Sequence, residues 1–318
     1  MSARVLVTRR LPDGGLDPLA SVADLEVVGP KPDDVPFSHD ELCHLAPECD
    51  AIVSLLTDTI DEHLLTVGAR GRLRTVANVA VGYNNIDVVA AARLGVMVCN
   101  TPGVLDETTA DTAFLLILSA ARLASEAERD LRAGRWSGWE ITQYLGRDVH
   151  GATLGIVGYG RIGRAVARRA AGFGMTVLHH ARHDTGAAGY VAELDSLLPR
   201  CDIVSLHTPL NAETTHLIDA RRLALLRPTA VLVNTARGPV VDEAALAAAL
   251  HAGALFAAGL DVYEREPVVH PDLLRAPRTV LLPHIGSGSQ ATRTKMSRLA
   301  TAAVATALQG GTPPNIVH

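Results

Sequence analysis

The stretch TLGIVGYGRIGRAVA, residues 153–167, decides the fold. An apolar run over 153–157 ends at Gly158. Gly160 and Gly163 follow in a Gly-x-Gly-x-x-Gly spacing, and Ile162, Val166 and Ala170 then recur at helical intervals. Strand, glycine turn and helix in that order open a βαβ unit that holds a dinucleotide pyrophosphate. Gly158 permits the tight turn, Gly160 lets the backbone approach the phosphates, and Gly163 lets the helix pack close to the strand. Free N–H groups at the start of the helix supply an anion site. A glycine turn can also join a strand to a helix and bind nothing, but the flanking elements favour the nucleotide.

Outward from this turn, apolar runs at 153–157, 176–179, 203–207, 231–235, 257–261 and 280–283 read as six strands with helices between them. That count suits a doubly wound dinucleotide-binding domain. Upstream, strands at 4–7, 51–55, 75–79 and 96–99 alternate with helices at 39–45, 61–67 and 87–94, which makes a smaller α/β domain. The breaker cluster NTPGV, 100–104, is the candidate crossing between them. Residues 106–124 read as one long, mostly apolar and buried helix, with a polar continuation over 125–135. Both tryptophans fall in WSGWEITQY, 136–144, an arm that reads as an interface element, with packing inside the chain as the alternative. A last helix spans 290–308.

Composition sets bounds. The 318 residues suffice for about two domains. A net charge of −5 argues against general nucleic-acid binding. The N-terminus, MSARVLVTRR, has no apolar signal core, and no stretch approaches a membrane span; the longest candidate, 110–124, is interrupted by Asp111 and Arg122. Cys43, Cys49, Cys99 and Cys201 are scattered without a CxxC, as expected of reduced thiols in a cytoplasmic protein. In the cluster HHARH, 179–183, adjacent strand histidines point to opposite faces, so no metal site is expected.

With these residues in view, the chain resembles the D-isomer-specific 2-hydroxyacid dehydrogenases. The matching blocks are VGYNNID (81–87), GYGRIG (158–163), NTARGPVV (234–241), and LDVYEREP (260–267) with LPHIGS (282–287). Within that family it most resembles the glyoxylate/hydroxypyruvate reductases, through SLLTDTID (54–61), NTPGVLDETTAD (100–111) and residues 134–146. The resemblance implies two Rossmann-like doubly wound domains. The discontinuous substrate domain would comprise residues 1–99 and 287–318, and the inserted dinucleotide-binding domain 100–286, with a dimerisation arm around 106–146. It further implies an active site in the cleft and a homodimer.

Reduction of a 2-keto acid needs a hydride donor, a proton donor and groups that hold a carboxylate. The cofactor supplies the first. His284 is the best proton donor, since imidazole titrates near working pH. By resemblance it is the catalytic acid/base and Glu266 its partner, a carboxylate that favours the imidazolium and orients the ring. Arg237 matches the substrate arginine, whose planar fork suits a carboxylate and its neighbouring keto oxygen. The backbone N–H groups of Val81 and Gly82 are expected to cradle the carboxylate, with Leu55 as an apolar wall. The resemblance places Thr109, Thr208, Pro209, Ala236 and Asp261 at the nicotinamide end, with Asp261 accepting from the carboxamide and His207 and Thr235 as their neighbours; Arg161, Ile162, His180 and Gly286 are further candidates at the cofactor.

NAD-specific members carry an acidic residue at the end of the second strand. Here that position is Ala181, between His180 and Arg182. No carboxylate opposes a 2′-phosphate, and Arg182 can pair with one, which predicts NADP(H) over NAD(H). The substrate would be glyoxylate or hydroxypyruvate. The same scaffold also carries D-3-phosphoglycerate dehydrogenases, phosphite dehydrogenases, enzymes for bulkier 2-keto acids, and a nucleotide-sensing corepressor.

Overall fold

Two parallel sheets organise the chain, for which a computed structural model describes residues 2–317. In chain order, the first elements are β1 (Ala3–Val7), β2 (Leu25–Val28), α1 (His39–Leu45), β3 (Ala51–Ser54), α2 (Glu62–Arg70), β4 (Thr75–Asn78), α3 (Val88–Arg93) and β5 (Met97–Cys99). Then come α4 (Asp106–Ala121), α5 (Ala124–Arg132), β6 (Thr153–Val157), α6 (Arg161–Ala171), β7 (Thr176–His180), α7 (Leu194–Leu197) and β8 (Ile203–Leu206). The chain continues through α8 (Ala220–Leu223), β9 (Val231–Asn234), α9 (Glu243–His251), β10 (Ala257–Leu260), α10 (Pro271–Arg275), β11 (Thr279–Leu281) and α11 (Gln290–Leu308). They fall into a small unit, which runs to Leu105 and resumes at Gly288, and a large unit, Asp106–Ser287. The segment 100–105 therefore stays with the small unit. It is held there by Asn100 N–H to Asn315 O at 3.2 Å and Thr101 N–H to Ala80 O at 2.9 Å.

The small sheet has the order β2-β1-β3-β4-β5 with every pairing parallel. Its strand order reverses between β1 and β3, and ligands of open α/β sheets bind beyond the carboxyl ends of strands at such a point. The loops there follow β1 and β3 and include Leu55; Val81 and Gly82 lie on the loop after the neighbouring strand β4. Leu6, Ile52 and Val76 face Leu42, Leu64 and Leu65 of α1 and α2 in its core. The sequence reading found four of these five strands. It missed β2 because Glu26 and Val27 of its LEVV are exposed and it is an edge strand paired only to β1.

The large sheet runs β11-β10-β9-β8-β6-β7. Its six strands are the six expected. β8, β9 and β10 are buried along their whole length, which is why they read as unbroken apolar runs rather than alternating ones. Beyond β7 a further strand is reduced to one parallel bridge, His179 to Tyr190. On one face α4 and α6 bury Ala113, Leu116, Ile117 and Val166 against Leu154, Ile156 and Val233. The expected helix 106–124 ends sooner. Leu123 takes a left-handed conformation (φ 53°), which separates α4 from the polar α5. Residues 106–121 thus belong largely to the large unit's core, with Leu115 half exposed, and the next exposed large apolar side chain of the expected arm is Leu131. No helix of the described residues is long and apolar enough to cross a membrane.

Candidate active site

The glycine turn sits where the large sheet reverses, between β6 and β8. Gly158 has φ 94°, and a Cβ there would lie 2.6 Å from the His207 carbonyl oxygen. A Cβ on Gly163 would lie 2.2 Å from Gly158 O, so helix and turn touch backbone to backbone. At Gly160 the same construction meets nothing within 4 Å, which leaves the turn open outward. Gly160 also starts α6 with no side-chain cap, whereas Asp61, Asp87, Asp242 and Ser289 cap α2, α3, α9 and α11. Arg161 is exposed on the first turn and Ile162 is partly buried against the core.

At the ends of the neighbouring strands lie buried polar atoms without a protein partner: His207 Nδ1, Thr208 Oγ1 and Thr235 Oγ1. Buried polar atoms are ordinarily satisfied, so three of them along one crest fit a polar ligand. The uncapped helix, the open glycine and these atoms together suit a dinucleotide. His207 Nε2 lies 2.9 Å from Ser205 Oγ, a partner not foreseen from sequence. Burial pushes the His207 imidazole down to about 3, so it is neutral. Pro209 O accepts from Thr214 Oγ1 at 2.7 Å, which folds the loop after β8 back on itself.

His284 Nδ1 stands 2.8 Å from Glu266 Oε2, as the sequence pairing anticipated. The other Glu266 oxygen accepts the Tyr263 N–H at 3.0 Å. Burial pushes Glu266 up, but the His284 hydrogen bond and charge, the Tyr263 N–H and the Arg237 charge outweigh it and hold the carboxyl below its usual range. His284 itself has φ 54°, a strained conformation for a histidine. The buried Asp261 holds the next two residues, taking Ile285 N–H and Gly286 N–H at 2.7 Å each. Burial raises its carboxyl, against those bonds and the His284 charge. Both oxygens are thus engaged, which the sequence reading did not anticipate, though a carboxylate has further lone pairs to offer. Thr109 of α4 lies beside Gly286: a Cβ on that glycine would be 3.6 Å from Thr109 Cγ2.

Arg237 follows β9. Asn234 sets its loop, accepting the Ala236 N–H at 2.9 Å and donating to Arg237 O at 2.9 Å. Gly238 then presses on the loop that carries Glu266, since a Cβ there would come 1.8 Å from the Tyr263 carbonyl carbon. Burial pulls the guanidinium down from its usual value and the Glu266 carboxylate opposes that. An arginine stays protonated regardless. A second tie joins the same two loops. Buried Glu243 takes the Glu264 N–H at 2.6 Å, and Glu264 takes the Glu243 N–H at 2.7 Å. Nothing in the sequence marks this tie, because Glu243 sits beside Asp242 as an ordinary acidic helix start and only the fold shows it buried.

At the end of β7, His180 Nδ1 lies 3.2 Å from Val191 O, and Ala181 follows. Arg182 is exposed and 3.7 Å from Glu213 Oε2. In the small unit, Leu55 lies on the loop after β3, at the reversal of its sheet, and Val81 and Gly82 on the loop after the adjacent β4.

This arrangement is that of a nicotinamide-dependent oxidoreductase, and the chain belongs to the family described as "D-isomer specific 2-hydroxyacid dehydrogenase, NAD binding domain", which matches residues 114–286. Within it the chain is similar to glyoxylate reductases. It is 46% identical to that of Korarchaeum cryptofilum, covering 100% of this chain and 96% of the relative. It is 42% identical to that of Thermococcus onnurineus, with the same coverage. Among solved structures, an NADPH-dependent glyoxylate/hydroxypyruvate reductase from Sinorhizobium meliloti, in complex with NADP and malonate, matches with a TM-score of 0.86 at 33% identity. That match covers 100% of this chain and 97% of the other.

Proposed function

We propose that this protein reduces glyoxylate and hydroxypyruvate to glycolate and D-glycerate and prefers NADPH. The observation that carries the reading is the 2.8 Å His284–Glu266 pair, held in the same unit as the uncapped glycine turn. A bound nicotinamide would supply the hydride. Glu266 engages His284 Nδ1, which leaves Nε2 to hand a proton to the former keto oxygen. Glu266 stays ionised and stabilises the imidazolium before transfer. Arg237 pairs with the carboxylate and keto oxygen of the acid, and the N–H groups of Val81 and Gly82 bind the carboxylate.

The cofactor preference rests on Ala181 and Arg182. The Arg182–Glu213 pair is exposed and long, so it is weak and yields to a doubly charged phosphate. The homodimer rests on the arm, where Trp136, Trp139, Ile141 and Leu145 are exposed and Trp139 is 77% open. A second copy of the chain is the partner we assign to it. The likeness to glyoxylate reductases, one of them NADPH-dependent by name, supports the substrate and cofactor.

Steady-state kinetics over a panel of 2-keto acids with NADPH and NADH test this. Turnover of glyoxylate and hydroxypyruvate is expected, with NADPH favoured. Arg182→Ala should raise the KM for NADPH about tenfold and leave NADH use unchanged. No turnover of any 2-keto acid sinks the enzyme reading, and a clear NADH preference sinks the cofactor reading.

A further inference from the structure

The turn after β4 shows an arrangement that the roles above do not use. The carbonyls of Val81 and Gly82 are both held by asparagine side chains. Asn100 Nδ2 donates to Val81 O at 2.8 Å, and Asn78 Nδ2 donates to Gly82 O at 3.0 Å. No hydrogen bond among the described residues takes the N–H of Val81 or of Gly82. In a planar peptide a tied carbonyl fixes the N–H of the next residue: Asn100, through Val81 O, sets the Gly82 N–H, Asn78, through Gly82 O, sets the plane that follows, and Ala80 O, which accepts the Thr101 N–H at 2.9 Å, sets the Val81 N–H. A turn held in this way keeps its N–H groups aimed, which is the requirement for binding an anion.

The asparagines are themselves fixed. Asn78 is fully buried at the end of β4, accepts from Ser54 Oγ at 3.2 Å, and donates to Asn85 Oδ1 at 3.1 Å. Asn85 Nδ2 in turn donates to Leu55 O at 3.1 Å and Asp58 O at 2.9 Å. Asn100 is clamped by Asn315, whose Nδ2 donates to Asn100 O at 2.5 Å. The network spans the loops after β3 and β4, so it sets the expected apolar wall at Leu55 and the expected amides at Val81 and Gly82 as one piece.

We infer that Asn78, Asn85 and Asn100 are positioning residues for the substrate carboxylate: Asn100 fixes the peptide that carries the Gly82 N–H, and Asn78, held by Asn85, fixes the next peptide, so that the turn keeps the N–H groups of Val81 and Gly82 aimed and unpaired. The inference rests on the proposed reading of Val81 and Gly82. An amide is suited to this because it donates to one carbonyl and accepts from a neighbour without bringing a charge to the anion. An aspartate in its place would lose the donor and repel the carboxylate.

The test is steady-state kinetics with glyoxylate, inhibition by oxalate as an unreactive carboxylate, NADPH binding by fluorescence, and thermal melting. Asn100→Ala should raise the glyoxylate KM and the oxalate inhibition constant in parallel, by about tenfold, the usual effect of one lost hydrogen bond of this kind. Asn78→Asp should raise both further. The kcat and the NADPH affinity should stay near wild type. If Asn78→Asp does not fold, Asn100→Ala and Asn85→Ser carry the test, because both positions are only partly buried. Folded variants with unchanged KM, or with kcat lowered and KM unchanged, overturn the inference alone. A wild-type protein that turns over no 2-keto acid overturns the site reading and this inference with it.

Discussion

Lowering the pH should weaken the large unit through His207, and the size of the effect follows from its surroundings. The ring is neutral in the folded chain, with its titration pushed from 6.5 to about 3 by burial. Its Nδ1 has no partner to accept an added charge, and its Nε2 is engaged with Ser205. In the unfolded chain the ring takes a proton near its ordinary value. Below that value the unfolded state therefore binds a proton that the native state refuses. Stability is full above about pH 6.5 and falls by about 1.4 kcal/mol per pH unit down to about pH 3. At pH 5.0 the loss from this one group is about 2 kcal/mol, or about 4–8 °C in Tm for a unit of this size. His179, which burial also pushes down, adds a loss of the same sign. His207→Gln keeps a partner for Ser205 and cannot titrate, so comparing the two proteins isolates the term. Melts of cofactor-free wild type and variant at pH 7.5 and 5.0 should show the wild type losing more on acidification. Equal losses would refute the argument.

Three further outcomes are expected. Glu266→Gln removes the charge beside His284 and should lower kcat about a hundredfold at neutral pH, measured by steady-state kinetics; a change under twofold would remove Glu266 from the proton transfer. Gly238→Ala would drive a Cβ to 1.8 Å from the Tyr263 backbone and should cost about 3 kcal/mol in melting experiments. It should also lower activity, by displacing Arg237. Trp139→Glu should shift a dimer toward monomer in sedimentation experiments, and an unchanged mass would take the arm out of the interface.

The residues that could be read from sequence carry their chemistry in local spacing. The glycine turn, the six strands of the large sheet and the His284–Glu266 pairing were all visible, because short apolar runs and motif blocks need no knowledge of distant partners. The half-exposed β2 lacked the apolar run, and the break at Leu123 depends on a single left-handed residue inside an apolar stretch. The asparagine network was illegible for another reason. Asn78, Asn100 and Asn315 look like turn residues until the fold shows which carbonyl each amide meets. Ser205 likewise is one polar residue in an apolar run, with nothing local to name its partner. The sheet brings it to His207, two residues on along the same face.

Gly238 has a consequence for inheritance as well as for packing. The loop that bears Arg237 and the loop that bears Glu266 are each other's wall, stitched again by the exchange between Glu243 and Glu264. A substitution in one loop is therefore felt by the other. Pairs of changes across this seam should be non-additive, so a lineage exploring new substrates could not tune the anion-binding arginine and the proton-transfer pair separately. Variation that preserves the chemistry should gather elsewhere in the chain, away from these two loops.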